Sequence, residues 1–532
     1  MEKTEKNEGG NWGASIFFIA NLLNFVLATA VFTIPFPMHE VGLILGTIIL
    51  SITCFISVIA CTFIIEALAL KNSILKRENA ILNLAIKDED NEAKKDEEKN
   101  DNNLNNSPPA LLKDDINNNI NGEEGDRNTY DKKETLIKES EKVEEKGEES
   151  NEKNDSFYIF KRFEISKLSK ALPKPGYFFV VITIICYLYI GVTSNGIIAG
   201  NNLKDIIGKT FDTDMPEYSY YIIVLCFFVI TIIIALNNIK HLKKFSMFIM
   251  VMRFVIIFLI MGCCFYSMAK FGIAKYKDIP KFDISNITVM IGNSLFVFMS
   301  HHSIPGMVEN FTPQRRLIKL LIIGYIFSLL FIVLYSYIGV FAFGDPSLPC
   351  DKSSPFPIAI QSTFSSNFLG LAGVGYIINY YPILNVITSG MQLITLRNNI
   401  LEAIAGCNPK WALSLNFAEQ KGFSPLMKNF IFNTIVAIPP IAIGLLLQNI
   451  QSLMKYFSSI LGFLLMLIVP MIVVNGYRAI FVKRKYKFST LNRSFLKNHY
   501  GNYFIICMSA IIFGLIIFGF YKNTNNKTCV NE

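Results

Sequence analysis

Apolar residues in this chain come in blocks of about 20 with few charges inside them, the length and character of a membrane-spanning helix. Such blocks lie near 13–35, 41–70, 176–200, 219–237, 245–269, 284–307, 317–343, 367–396, 428–448, 452–478 and 502–521, and they predict an all-α polytopic membrane protein of about eleven transmembrane helices. No short basic-apolar-small segment precedes the first block and no cleavage signal follows it, so it reads as a retained span and not as a signal peptide. Many blocks contain Gly or Pro, which membrane helices tolerate where neighbours, waters or hydroxyls satisfy the freed backbone groups.

The polar stretches divide the chain. Residues 1–12 form a short N-terminal tail, 13–70 hold spans one and two, 71–160 form an insert, 161–521 hold an amphipathic helix and spans three to eleven, and 522–532 form a tail. Within the insert, residues 78–155 are Asn, Lys, Glu and Asp with too few apolar side chains to offset ordering entropy, which predicts a disordered loop. It is either an inert insertion or a regulatory or trafficking segment, with partner proteins unknown. Phe157–Leu172 regains a helical pattern through Phe160, Phe163, Ile165, Leu168 and Leu172, with Lys between them, and reads as an amphipathic helix on the inner membrane face.

Charge sets the orientation. With the N-terminus and the insert cytosolic, Lys and Arg near the span ends divide roughly 27 inside to 10 outside, in the sense of the positive-inside rule. An odd number of spans then leaves the C-terminal tail non-cytosolic. Composition agrees with a bilayer: of 532 residues 52% are hydrophobic, 45 are Phe and 17% are charged, against about 25% charged in soluble domains. The net charge of +8 reflects loop topology, not a nucleic-acid surface. Most of the ten Cys lie inside apolar blocks and act as small hydrophobes. Cys350 and Cys529 fall in loops on one side, so a disulfide between them is open.

Two spans carry chemistry that an anchor does not need. The first, Asn21 to Pro37, gathers small and hydroxyl residues (Asn24, Ala28, Thr29, Ala30, Thr33) and ends in prolines. One reading is tight small-residue helix packing; the other is a broken helix whose freed backbone groups bind a ligand near the midplane. The sixth contains Ser300-His301-His302-Ser303-Ile304-Pro305-Gly306. Adjacent imidazoles in an apolar block are costly unless they face a cavity or the membrane edge, and Pro305 removes a backbone donor. There His302 either couples protons or is an inert, hydrogen-bonded edge residue. Adjacent His do not face the same way and no Cys or carboxylate cluster completes a tetrahedral set, which argues against a metal site. No acidic or nucleophilic partner motif accompanies the imidazoles, which argues against an enzyme.

Weaker signals are Glu66, read as marking the inner interface; Arg253, either a functional charge within the fifth span or, the favoured reading given its distance from Lys244, one that snorkels toward the inner face; and the eighth span, where Thr388 and Ser389 beside Pro382 supply either ion ligands or polar packing.

On these motifs the chain resembles the amino acid/auxin permease family, and within it the transmembrane-protein-104-like branch. That branch has Asn-Leu-Ile-Val-Gly-Thr-Gly-Ala-Leu-Thr-Met-Pro in its first span; this chain keeps Asn24, Thr29, Thr33 and Pro35 but has Ala28 and Ala30 in place of glycines. The sixth span resembles Phe-x-Phe-x-Cys-His-x-Ser-x-Pro, with Ser300 for the Cys, and Glu66 fits the branch's second-span ending. The resemblance implies a LeuT-like 5+5 inverted repeat plus one helix, with spans one and six unwound at their centres. It implies proton- or sodium-coupled transport of small neutral or cationic amino acids, with no cofactor. The substrate would meet Asn24, Leu27, Ala28, Thr29 and Ala30 in span one and Ser300, His301, His302 and Ser303 in span six. A coupling H+ or Na+ would engage Asn24, Thr388, Ser389 and His302. The expected partners are the amino acid and the lipid bilayer, and the expected place is the plasma membrane or an acidic vacuole- or lysosome-like organelle. The rival reading is a non-transporting amino acid sensor on an organelle membrane.

Overall fold

The structure, a computed structural model, describes residues 12–100 and 158–522 apart from 214, 237–238, 302, 309–310, 312–313, 351, 353–355, 408–410, 412–422, 487, 489–490, 495 and 497–498. The chain divides into two compact units, one of Met1–Leu68, Ile159–Lys487 and Asn492–Glu532, the other of Ala69–Tyr158 and Phe488–Leu491.

The described residues are helical, with no strand among them. The helices are α1 (Trp12–Thr33), α2 (Pro35–Val41), α3 (Leu43–Asn100), α4 (Lys174–Phe211), α5 (Tyr218–Ile234), α6 (Ile239–Phe271), α7 (Ile287–Val297), α8 (Ile304–Val308), α9 (Leu317–Phe343), α10 (Val374–Tyr380) and α11 (Asn385–Cys407). They continue with α12 (Phe423–Leu446), α13 (Ile450–Lys483) and α14 (His499–Lys522). Each of the eleven apolar blocks coincides with at least one of them. By length and composition seven helices are able to cross a membrane, or eight if α1 and α2 count as one bent span. α5 and α7 are apolar but shorter.

Burial sorts the spans into two groups. The apolar window of α3 is 78% buried and those of α4 and α13 are 61% buried, whereas those of α6, α9, α12 and α14 are 28–33% buried. The outer helices turn Phe258, Leu330, Ile438 and Ile517 outward. An outer face this rich in exposed Phe, Ile and Leu suits hydrocarbon and not water. α3, α4 and α13 are the most enclosed spans, and nearly every residue of α7 is buried as well.

Three expectations change. The helix that holds the second span does not stop near residue 70: α3 runs on to Asn100, so residues 78–100 of the insert, expected to be disordered, are helical, while residues 101–157 lie outside the described residues. The amphipathic helix predicted over Phe157–Leu172 shrinks to one turn, Ile165–Leu168, and a 3-10 turn, Ser169–Ala171. Its first part is extended because the backbone of Ile159 is held by a side chain: Ile159 N–H donates to Gln314 Oε1 at 2.8 Å and Gln314 Nε2 donates to the Ile159 carbonyl at 2.7 Å. Ile165 and Leu168 are buried in the protein. Arg397, placed with the loop charges by the sequence, is buried in α11 and donates to Asn429 Oδ1 of α12 at 2.8 Å. Cys350 is disulfide-bonded; Cys529, with which the sequence left a disulfide open, lies outside the described residues.

Candidate functional site

Two breaks in helices define the interior, and prolines write the first. In a helix the carbonyl of residue i accepts from the N–H of i+4, and proline has none. Pro35 and Pro37 therefore orphan the carbonyls of Val31 and Thr33. The helix bends by 61° between α1 and α2. Side chains meet both orphans: the Tyr335 hydroxyl of α9 donates to the Val31 carbonyl at 2.9 Å, and Gln451 Nε2 of α13 donates to the Thr33 carbonyl at 3.1 Å. Gln451 also donates to the Ser362 carbonyl at 2.7 Å and accepts from Asn293 Nδ2 of α7 at 2.8 Å. Its own N–H is capped by Asn449 Oδ1 at 2.8 Å. One buried amide thus ties the break in α1 to α7 and to the segment carrying Ser362.

The second break separates α7 from α8 at Phe298–Ser303. The Phe298 carbonyl, past the last helical residue, lies 2.7 Å from the Ser57 hydroxyl of α3 and 3.3 Å from the Tyr325 hydroxyl of α9. Tyr325 also meets the Ser300 hydroxyl, and Cys61 Sγ lies 3.2 Å from Tyr325 and 3.7 Å from Ser300. The Ser300 carbonyl accepts from Ser303 N–H at 2.9 Å and from Ile304 N–H at 3.2 Å, which starts α8. All of Ser57, Cys61, Ser300 and Tyr325 are buried, so the Phe298 carbonyl and the Ser300 hydroxyl are satisfied by protein, as a membrane interior demands.

α7 reaches its position because Gly292 has no side chain. A Cβ there would run into the Met454 carbonyl of α13. Met454 opens the first of two π-helical turns in α13, Met454–Ser458 and Leu464–Ile468. Such turns widen a helix and often mark functional sites.

The predicted site residues divide as follows. Ser300, His301 and Ser303 sit at the second break, with Ser300 and His301 buried and Ser303 half-buried. His302 lies outside the described residues. Leu27 is buried, and the backbone of residues 27–30 is helical, so the first span is unwound not at its centre but at Ile34, beside the prolines. The side chains of Ala28, Thr29 and Ala30 are outside the described set. Asn24 is half-buried and accepts from Arg253 Nη1 of α6 through both its side-chain oxygen and its main-chain carbonyl, the latter at 2.9 Å. Arg253 is 4% exposed, so it does not snorkel. Thr388 is half-buried, and the buried Ser389 hydroxyl in α11 has no hydrogen-bond partner among the described residues.

Glu66 is also interior. Its carboxylate is fully buried and takes a two-pronged ion pair from Arg478 of α13, Nε to Oε1 at 2.8 Å and Nη2 to Oε2 at 2.7 Å, with a third bond from Ser494 N–H at 3.0 Å. Arg478 continues to the Leu496 carbonyl at 3.2 Å. Gln451, Tyr335, Tyr325 and Ser57 were not singled out from the sequence. The proline arithmetic points to the carbonyls of Val31 and Thr33, but no sequence signal names their donors.

A helical bundle with an apolar outer face and broken helices set inside protein is the architecture of a multi-pass membrane protein. A family model described as transmembrane amino acid transporter protein matches residues 135–522, and the chain belongs to that family. The match begins after α1–α3. A relative that spans them as well is the Transmembrane protein 104 homolog of Dictyostelium discoideum, 25% identical over 95% of this chain and 96% of its own length. Human Transmembrane protein 104 is 24% identical over 37% of this chain and 36% of its own length, and the Drosophila melanogaster homolog is 25% identical over 36% of each.

Proposed function

We propose that the chain is a secondary transporter of amino acids, coupled to protons or sodium, that alternates access around a midplane site at the break between α7 and α8. The observation that carries the reading is the break between α7 and α8 inside the family-matched region: Phe298–His301 are non-helical and buried, and Ser303 is half-buried. Helix ends at such a break offer backbone N–H and carbonyl groups to an amino acid's carboxylate and ammonium. In this reading the eleven apolar blocks are eleven spans in a 5+5 inverted repeat plus one, with α1–α2 and α7–α8 as equivalent members of the halves. Small neutral or cationic amino acids are the substrates, and the plasma membrane or an acidic organelle is the site of action.

One observation favours a second reading, an amino acid sensor that binds without moving its ligand. The helix through residues 27–30 is intact, so its backbone groups are bonded within α1 and are not free for a substrate. Cells expressing the chain separate the readings. A transporter raises uptake of a labelled amino acid or its release from an acidic compartment. Binding without flux selects the sensor, and neither binding nor flux for any amino acid overturns both.

A further inference from the structure

Arg253 is a permanently charged group in the wrong solvent. It lies six residues inside the span Met247–Phe271, about 9 Å along the helix. It is 4% exposed. A guanidinium keeps its charge in proteins, and a charge at such depth is retained only for a reason. Its Nη1 is committed to two oxygens of one residue, the Oδ1 and the main-chain carbonyl of Asn24. Its Nε is buried without a hydrogen-bond partner, and no carboxylate pairs with it among the described residues.

These oxygens are the kind a small hard cation takes: a side-chain amide carbonyl and a main-chain carbonyl, both neutral. The helices around them also meet. Phe32 of α1 stacks on Tyr381, before α11, with ring centroids 6.1 Å apart, and the Tyr381 hydroxyl donates to the Ile249 carbonyl of α6, one turn before Arg253, at 3.5 Å. α11 packs against α6 and carries the buried, unpartnered Ser389 hydroxyl.

We infer that Arg253 is a built-in cation at the Asn24 oxygens, and that it makes the protein independent of Na+ there. A metal ion entering the same oxygens would stand at contact distance from a like charge in a low-dielectric interior, which excludes it. Asn24 is then not a ligand for a coupling ion; its oxygens serve to hold the guanidinium. Only the flux arm of the test rests on the transport reading.

The test uses the full chain in lipid nanodiscs and in proteoliposomes, in NaCl and in choline chloride at equal ionic strength. The wild type should show no saturable binding of radioactive sodium, the same melting temperature in both salts and the same flux, which leaves the proton as the coupling ion of the transport reading. Arg253→Met removes the charge and should bind sodium saturably, melt higher in NaCl than in choline, and lose flux in choline by about tenfold, the worth of one charge-assisted hydrogen bond. Arg253→Lys keeps the charge and should remain indifferent to sodium, which decides the matter if Arg253→Met does not fold. Saturable sodium binding by the wild type that disappears in Asn24→Ala overturns the inference, as does an Arg253→Met protein that folds and matches the wild type in choline. Binding and melting need no transport, so a protein that moves no amino acid sinks the transport reading and leaves these arms to decide.

Discussion

Single side chains hold the two breaks, and their contribution follows from the backbone group each one satisfies. Removing the Tyr335 hydroxyl with Tyr335→Phe leaves the Val31 carbonyl unpaired in a buried place, because Pro35 cannot supply the missing N–H. The expected loss is about 1–2 kcal/mol, read as a lowered melting temperature in detergent. Gln451→Leu removes donors from two carbonyls and an acceptor from Asn293 at once, so its effect should be larger, roughly 3 kcal/mol or more, and should exceed that of Tyr335→Phe in the same assay. Equal melting temperatures for Gln451→Leu and the wild type would show that water replaces the amide. At this scale the sequence was informative about where backbone bonds fail. Pro35, Pro37 and Pro305 are local facts. It was silent about what repairs them, since Tyr335 and Gln451 lie hundreds of residues away, the one inside an apolar block and the other in the short gap between two. Arg253 shows the same limit in reverse: the charge was visible, but whether it reaches the interface or an oxygen in α1 depends on packing.

Helices meet at two tight places whose energetics can be separated. α7 approaches the π-helical turn of α13 through Gly292, and Gly292→Ala would force its methyl against the Met454 carbonyl. Overpacking of this kind costs about 1–3 kcal/mol. The displacement falls on the helix that leads into Phe298–Ser303, so the variant should lose substrate affinity as well as stability. Thermal melting with and without amino acid separates the two losses. α3 and α13 are joined by Glu66 and Arg478, with little solvent around either. Glu66→Gln alone should cost about 3–5 kcal/mol because it strands a buried guanidinium, while Glu66→Leu with Arg478→Leu should recover most of the loss. A double variant no better than the single one would mean that the bonds of Arg478 to Leu496 and of Glu66 to Ser494 matter more than the pair. The apolar blocks revealed every one of these elements because twenty apolar residues admit few alternatives. The blocks did not reveal that α3 continues to Asn100, since that stretch is polar, or that Phe157–Leu172 forms only one turn of helix, since a side-chain amide competes for its backbone.

For the whole molecule, the positive charges, the apolar outer face and the family match agree on a multi-pass protein of the bilayer. The bonded Cys350 adds a topological expectation. A disulfide needs an oxidising compartment, so in sealed vesicles of known orientation that contain the chain an impermeant thiol reagent should label Cys350 only after reduction and only from the non-cytosolic side, and labelling from the cytosolic side alone would invert the orientation. The central claim is that the break between α7 and α8 is a site through which an amino acid passes. Counterflow in proteoliposomes tests it most directly, with the purified chain, a panel of unlabelled amino acids inside and a labelled one outside, across pH and sodium. The account predicts accumulation of label with at least one amino acid, and its loss when Ser303 is replaced by Trp to fill the break. No exchange with any amino acid under any of these conditions would contradict it.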